Sequence, residues 1–407
     1  MGKQPNIVFV LVDCLRSRTL AEAADRGWAP ELAALRERGT FFPQTVATVT
    51  TTTPSMSSIF TGTLPFVHGV RSLRARLSDD VATLAEILRD HGYTTHAEAA
   101  GPVNEKTGLD RGFDRFHGRF RDYVHGPAWS EMRSRIATLP PSSPWFLYVH
   151  LFELHETIVP EALDRKEFGR TGYDRSVAAL DRTVLGELFR LAGEDGVVIV
   201  TGDHGELVPR YKRGVQMVEQ VARRLRSRAL MRWAVERRGH GHIHEDEVVV
   251  PLVLAGRGIP AGRRVDTAVR HIDLFPTILE LAGVDDPRRR QSSGRTLVEL
   301  FERDGEDRPG YTEAVGGVRL RFLEDAFVAV RHEGYKYVKR MDRPDLWLWR
   351  LPDEKTNVIG KHPELAAKME ALLAAFGDGR ELSAAQRPMA PGELAEMEEQ
   401  LKMLGYL

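Results

Sequence analysis

Two short apolar runs, each leading into an acidic residue, limit the fold of this 407-residue chain more than any other feature. Ile7–Val12 is continuous, rich in β-branched residues and followed at once by Asp13. Val197–Val200 leads into Thr201-Gly202-Asp203-His204-Gly205. A run that is apolar at every position, rather than at alternate ones, predicts a strand covered on both faces, as in a parallel sheet between helices. Trp145–Leu151, introduced by Pro144, and Val248–Leu254 read as further strands of the set, each preceding a polar loop. Glu31–Arg38 and Ala82–Arg89 have helical spacing and stop near Gly39 and Gly92. Ligands of open α/β sheets gather at the carboxyl ends of strands. Asp13, His155, Asp203 and His204 all sit at or just beyond such ends.

His271 to Gly283 reads as a helix entered through Asp273 and Pro276. From about residue 310 the texture changes to short strands, Phe327–Val330, Tyr335–Val338 and Leu346–Trp349, then a helix near Pro363–Phe376. The expected organisation is an α/β domain over 1–309, a smaller C-terminal α+β subdomain over 310–376, and a linker with a final helix over 377–407. A net charge of −1 makes no case for nucleic acid. The single cysteine, Cys14, excludes an intramolecular disulfide and fits a reducing compartment. The apolar stretch after residues 1–6 is too short for a signal peptide or a membrane span, so the expected location is cytoplasmic. Residues 211–238 stand apart: Arg223, Arg224, Arg226, Arg228 and Arg232 are interleaved with Leu225, Leu230 and Trp233. They read as a basic helical insertion, either simply solvated or a surface for an anionic substrate, an acidic partner or a membrane. Oligomeric state leaves no mark in the sequence.

Chemistry enters with Thr52-Thr53-Pro54-Ser55. A threonine hydroxyl is a poor nucleophile at neutral pH, and a divalent cation touching its oxygen lowers its pKa and screens an anionic substrate. Asp13, Asp203 and His204 supply hard and borderline ligands for such an ion. The segment after Pro54 reads as a helix start, whose free N–H groups favour a bound tetrahedral anion.

In order along the chain, these motifs resemble the sulfatase branch of the alkaline phosphatase superfamily. Pro5-Asn6-Ile7-Val8 through Asp13-Cys14-Leu15-Arg16 is similar to its opening strand and first metal aspartate. Thr52-Thr53-Pro54-Ser55 with Thr61-Gly62 and His68-Gly69 resembles its nucleophile segment, and Gly202-Asp203-His204-Gly205 its second metal motif. Pro144-Trp145-Phe146-Leu147 to His155, Asp273-Leu274-Phe275-Pro276-Thr277, Gly334-Tyr335-Lys336-Tyr337 and Leu404-Gly405-Tyr406-Leu407 resemble later landmarks. The resemblance implies an alkaline phosphatase-like fold: a large mixed, mostly parallel sheet sandwiched by helices, with a smaller C-terminal α+β subdomain.

Departures from the pattern matter as much. Sulfatases convert a cysteine or serine at the nucleophile position to formylglycine; here that residue is Thr52, which cannot yield the aldehyde, and Met56 replaces the motif's arginine. Cys14 stands where many members have a second aspartate, and Ala99-Ala100-Gly101-Pro102 stands where a lysine-histidine pair is usual. The resemblance therefore implies a metal-dependent hydrolase acting on a small anionic ester of phosphate type, a phosphodiester or phosphonate ester, through a covalent Thr52 intermediate. One divalent ion (Ca2+, Mn2+ or Zn2+) would be held by Asp13, Thr52, Asp203 and His204. His155 would contact the transferred group, and His240 or His242 would protonate the leaving group or bind the anion. With Glu153, His155 and His244, these histidines leave room for a second metal. His68, His96, His150 and His271 are expected to be structural. A phosphoryl transferase, a sulfuric ester hydrolase without formylglycine, and a non-catalytic anion- or partner-binding member remain open alternatives.

Overall fold

Strand β1 (Ile7–Val12) is buried at all six positions, and its side chains divide between two faces. Ile7, Phe9 and Leu11 join one core cluster with Met56, Phe60, Leu84, Phe275 and Ile278. Val8, Val10 and Val12 join another with Leu20, Leu32, Met132, Val177 and Leu188. This period-two division is the pleat itself, and burying each such side chain stabilises the fold by roughly 1.5–3 kcal/mol. The computed structural model describes residues 4–140, 143–206, 243–314, 326–341, 344–377 and 389–404, with a few isolated positions between 217 and 230. The basic segment 211–238 lies almost wholly outside the described residues, as do His240 and His242.

The main sheet also contains β2 (Gly39–Val46), β3 (Thr94–Ala99), β4 (Arg115–Gly118), β5 (Trp145–Leu151), β6 (Val197–Thr201), β7 (Val249–Gly256), β8 (Arg263–Arg264) and β9 (Val269–Arg270). Its order is β4-β3-β5-β1-β6-β7-β2-β8, with β9 also paired to β2. β1 is central, parallel to β5 from Ile7↔Phe146 and to β6 from Ile7↔Val197. β7 runs antiparallel to both β6 and β2, which makes the sheet mixed. Helices Thr52–Thr61, Leu84–Asp90 and Leu274–Leu281 cover one face, and Ser17–Asp25, Pro30–Arg38, Pro127–Ile136 and Gly172–Leu180 the other.

A second, antiparallel sheet is formed by β10 (Gly310–Ala314), β11 (Phe327–His332), β12 (Tyr335–Arg340) and β13 (Leu346–Arg350). It packs against the helix Pro363–Ala375 through Val328, Val330, Tyr337, Met369 and Leu373. The helix expected over His271–Gly283 is a 3₁₀ turn, His271–Asp273, followed by Leu274–Leu281. No helix among the described residues is long and apolar enough to cross a membrane.

Candidate active site

The carboxyl ends of β1, β5 and β6 lie side by side at one edge of the sheet, because the three strands are parallel neighbours. Asp13 follows β1, and its N–H donates to Leu151 O at the end of β5 at 2.8 Å. Asp203 follows β6. The strand read at Val248–Leu254 runs the other way. β7 is antiparallel to β6, so the edge receives the start of β7, where Gly205 N–H donates to Glu247 O at 2.8 Å. β2, antiparallel in turn to β7, brings its own carboxyl end there and leads into Thr50–Thr53.

Asp13 and Asp203 are fully buried and His204 is nearly so. Asp203 ties the β1 and β6 loops together: its Oδ1 accepts N–H bonds from Cys14 at 3.1 Å and from His204 at 2.8 Å. His204 Nε2 stands 3.4 Å from Asp203 Oδ2 and 3.9 Å from Asp13 Oδ1. Its Nδ1 lies 2.8 Å from Gly205 O, which orients the ring. Burial, reinforced by the charge of Asp203, pushes the Asp13 carboxyl well above the usual range. Burial alone would lower His204, but Asp203 and Asp13 outweigh it and raise its pKa. His155 Nδ1 lies 3.8 Å from Asp13 Oδ2, and its ring stacks on Phe152 with centroids 4.5 Å apart.

Thr52 is the first residue of the helix Thr52–Thr61 and is 1% exposed. Ser55, one turn on, donates from Oγ to Asp203 O at 2.7 Å and so fastens the helix start to the β6 loop. Thr52 Oγ1, Asp13 Oδ2 and Asp203 Oδ2 are buried without hydrogen-bond partners among the described residues. Buried oxygens of this kind are costly unless something electropositive meets them. Donor atoms of Asp13, Cys14 and His204 fall within 4.8 Å of one another, as do those of Asp13, His150 and Asp203. The two groups meet at Asp13, and the donors of each fit a divalent cation.

The structure thus brings Asp13, Asp203, His204 and His155 together, with Thr52 at the adjoining helix start. Glu153 faces elsewhere, its Oε1 accepting from Val124 N–H at 2.7 Å. His244 also turns away, pairing with Glu354 at 3.5 Å and stacking on Trp349. His68 bonds Ser58 and Val70, and His96 pairs with Glu98, as expected of structural histidines. His150 is different: its Nδ1 lies 3.0 Å from Ala100 O, its Nε2 has no hydrogen bond among the described residues, and it groups with Asp13 and Asp203. Burial lowers its pKa to about 4, leaving a neutral imidazole able to act as a ligand. The signal was present in the sequence: an imidazole in a strand buried at every position. Glu206, 2% exposed with Oε2 3.6 Å from Cys14 Sγ, was also missed; it is separated from Asp203 only by His204 and Gly205.

A family model described as Sulfatase matches residues 5–284. Arylsulfatase K of Xenopus laevis is 27% identical over 217 residues, covering 49% of this chain and 36% of that protein. Arylsulfatase K of Homo sapiens is 26% identical over 190 residues, covering 44% and 30%. The chain spans about a third of the length of these curated relatives. Among solved structures, a 2-O GAG sulfatase superposes with a TM-score of 0.71 at 18% identity, covering 96% of each chain. The phosphonate monoester hydrolase of Agrobacterium radiobacter superposes with a TM-score of 0.67 at 18% identity, covering 95% of this chain and 100% of that one. At these identities the structural likeness speaks to the fold.

Proposed function

The chain belongs to the sulfatase family, and from that premise we propose that it is a metal-dependent ester hydrolase cleaving a phosphate-type ester through Thr52. The observation that carries this reading is the buried Thr52 Oγ1, without a hydrogen bond among the described residues, at a helix start fastened to the loop of Asp203. Threonine cannot become formylglycine, so its own hydroxyl is the nucleophile available at this position. Asp13, Asp203 and His204 would hold the cation, with His150 in reach; bound there, the ion would lower the pKa of the Thr52 hydroxyl and screen the substrate anion.

The chain's own residues account for the remaining steps. The first-turn N–H groups of Thr52 and Thr53 have no partner within the helix and favour a tetrahedral anion beside them. In-line attack forms the Thr52 Oγ1–P bond, the hydroxyl proton passes to solvent, and the bond from phosphorus to the leaving oxygen breaks. That oxygen takes a proton from His240 or His242, and His155 contacts the transferred group. Water then attacks phosphorus, one of its protons passes to Oγ1 as the Oγ1–P bond breaks, and the threonine hydroxyl is restored while the remaining O–H stays on the phosphorus product.

The test is turnover of a phosphodiester, a phosphonate monoester and an aryl sulfate by metal-loaded wild type and Thr52→Ala. We expect phosphorus-ester turnover that falls at least about 10³-fold in the variant, with its folding intact. Undiminished activity in Thr52→Ala, or cleavage of the sulfate ester alone, would overturn the reading. Phosphoryl transfer to an added alcohol in place of hydrolysis would keep Thr52 as nucleophile and make water the wrong acceptor.

A further inference from the structure

Cys14 occupies a conformation that a side-chain-bearing residue seldom adopts, with φ at 63°. The backbone around it is held from several directions. Its N–H donates to Asp203 Oδ1, and its carbonyl accepts from Tyr173 Oη at 2.5 Å. Tyr173 in turn accepts the N–H of Arg16 at 3.1 Å. The outcome is a fully buried sulfur aimed at polar groups rather than at the core. Sγ lies 3.2 Å from Asp13 Oδ1, 3.6 Å from Glu206 Oε2 and 3.7 Å from His155 Nδ1. A packing cysteine would behave as a small hydrophobe among apolar neighbours. This one faces two carboxylates and an imidazole, next to Asp13, whose Oδ2 has no hydrogen bond among the described residues.

We propose that Cys14 is a thiolate ligand of a cation held with Asp13 and His204, whose donor atoms lie within 4.8 Å of one another and of the thiol sulfur, and that the site therefore selects zinc over calcium. The proposal rests on the reading of that cluster as a metal centre. Binding replaces the S–H bond by a sulfur–metal bond, and the proton leaves to solvent. Donor separations around the centre support it. Bonds of about 2.0–2.3 Å at a tetrahedral ion set donor–donor edges of about 3.3–3.8 Å. The observed separations within the group, 3.2 Å for Cys14 Sγ to Asp13 Oδ1 and 3.9 Å for His204 Nε2 to Asp13 Oδ1, lie just below and just above that range, so small side-chain shifts would bring them into it. Calcium requires six to eight oxygens, whereas mixed sulfur, nitrogen and oxygen donors suit zinc.

The chain has one cysteine, so any sulfur signal belongs to Cys14. The experiment is a cobalt(II) titration of the metal-stripped full chain, followed by absorption, on wild type, Cys14→Ser and Cys14→Asn. Asparagine accepts a positive φ more readily and guards against misfolding of the serine variant. We expect visible d–d bands together with a near-ultraviolet sulfur-to-cobalt charge-transfer band in wild type, the latter absent from both variants. Zinc affinity by competition should fall by more than about 100-fold in the variants, while calcium affinity changes little. The metal should also protect the thiol from an alkylating reagent. Visible bands without charge transfer, and a thiol equally reactive with and without metal, would overturn the proposal and leave the metal centre standing. Absence of any cobalt binding would remove both.

Discussion

Val70 donates its backbone N–H to Nδ1 of His68 at 3.1 Å, and Nε2 lies 3.0 Å from Ser58 Oγ. A ring that accepts at Nδ1 is neutral, and burial with the nearby Arg71 pushes its pKa down to about 3. His125, His150 and His271 are likewise lowered to about 4, chiefly by burial. Each folded-state pKa is below the unfolded value of 6.5, so the unfolded chain takes up these protons first. Their contribution to stability is complete above pH 6.5 and is lost as pH falls toward about 4. Denaturant unfolding of metal-free protein should therefore show stability dropping through that window. His68→Gln should flatten the slope by about one proton. A variant with the wild-type pH profile would show that His68 is not neutral in the fold.

At the scale of elements, the helix Thr52–Thr61 is positioned at both ends. Ser55 holds its start to Asp203 O, and Gly62 ends it in the left-handed region with φ at 67°. Gly62 O accepts from Ser292 Oγ at 3.0 Å and from Ser293 N–H at 2.9 Å, and a Cβ on Gly62 would meet Ser292 Oγ at 2.3 Å. Gly62→Ala should therefore cost about 1–3 kcal/mol, measured by chemical denaturation. It should also lower turnover through the displaced helix. A neutral substitution would mean the C-terminal anchor does not set the position of Thr52. Periodicity made the neighbouring helix legible: the pattern over Ala82–Arg89 forms Leu84–Asp90, with Thr83 and Glu86 in a capping box. It did not reveal β2, whose Gly39–Val46 includes Pro43 and Gln44 and lacks the continuous apolar run of its neighbours.

At the scale of the whole molecule, the C-terminal sheet braces the loop that leads to Thr52. β10 bonds it directly, Glu313 N–H to Thr48 O at 2.9 Å and Thr312 Oγ1 to Ala47 O at 2.7 Å. β12 adds Lys336, 1% exposed, whose Nζ bonds Ile243 O at 2.5 Å, Glu245 Oε1 at 3.1 Å and Glu354. Removing that ammonium takes away the cation that Glu245 and Glu354 share, leaving Glu245 to Arg331 and Glu354 to His244 and the Glu245 N–H. Lys336→Met should cost about 3–5 kcal/mol by thermal or denaturant unfolding, the usual result of deleting one partner of a buried ion network. A loss below about 1 kcal/mol would show that the network is dispensable for docking the small sheet.

The sequence by itself determined the buried strands and the carboxylates that end them, because a both-face-covered strand must be apolar throughout and polarity then marks its end. It also determined the family through the order of Asp13, Thr52 and Asp203-His204. Tertiary structure alone decided which residues join them. The antiparallel course of β7 brings Glu247 and the end of β2 to the edge. Pairing of β1 with β5 sets His150 near Asp13 and Asp203. The backbone at Cys14, held by Tyr173 and Asp203, turns its sulfur toward Asp13. Contacts between residues more than a hundred positions apart depend on strand order and direction, and no local pattern carries that information.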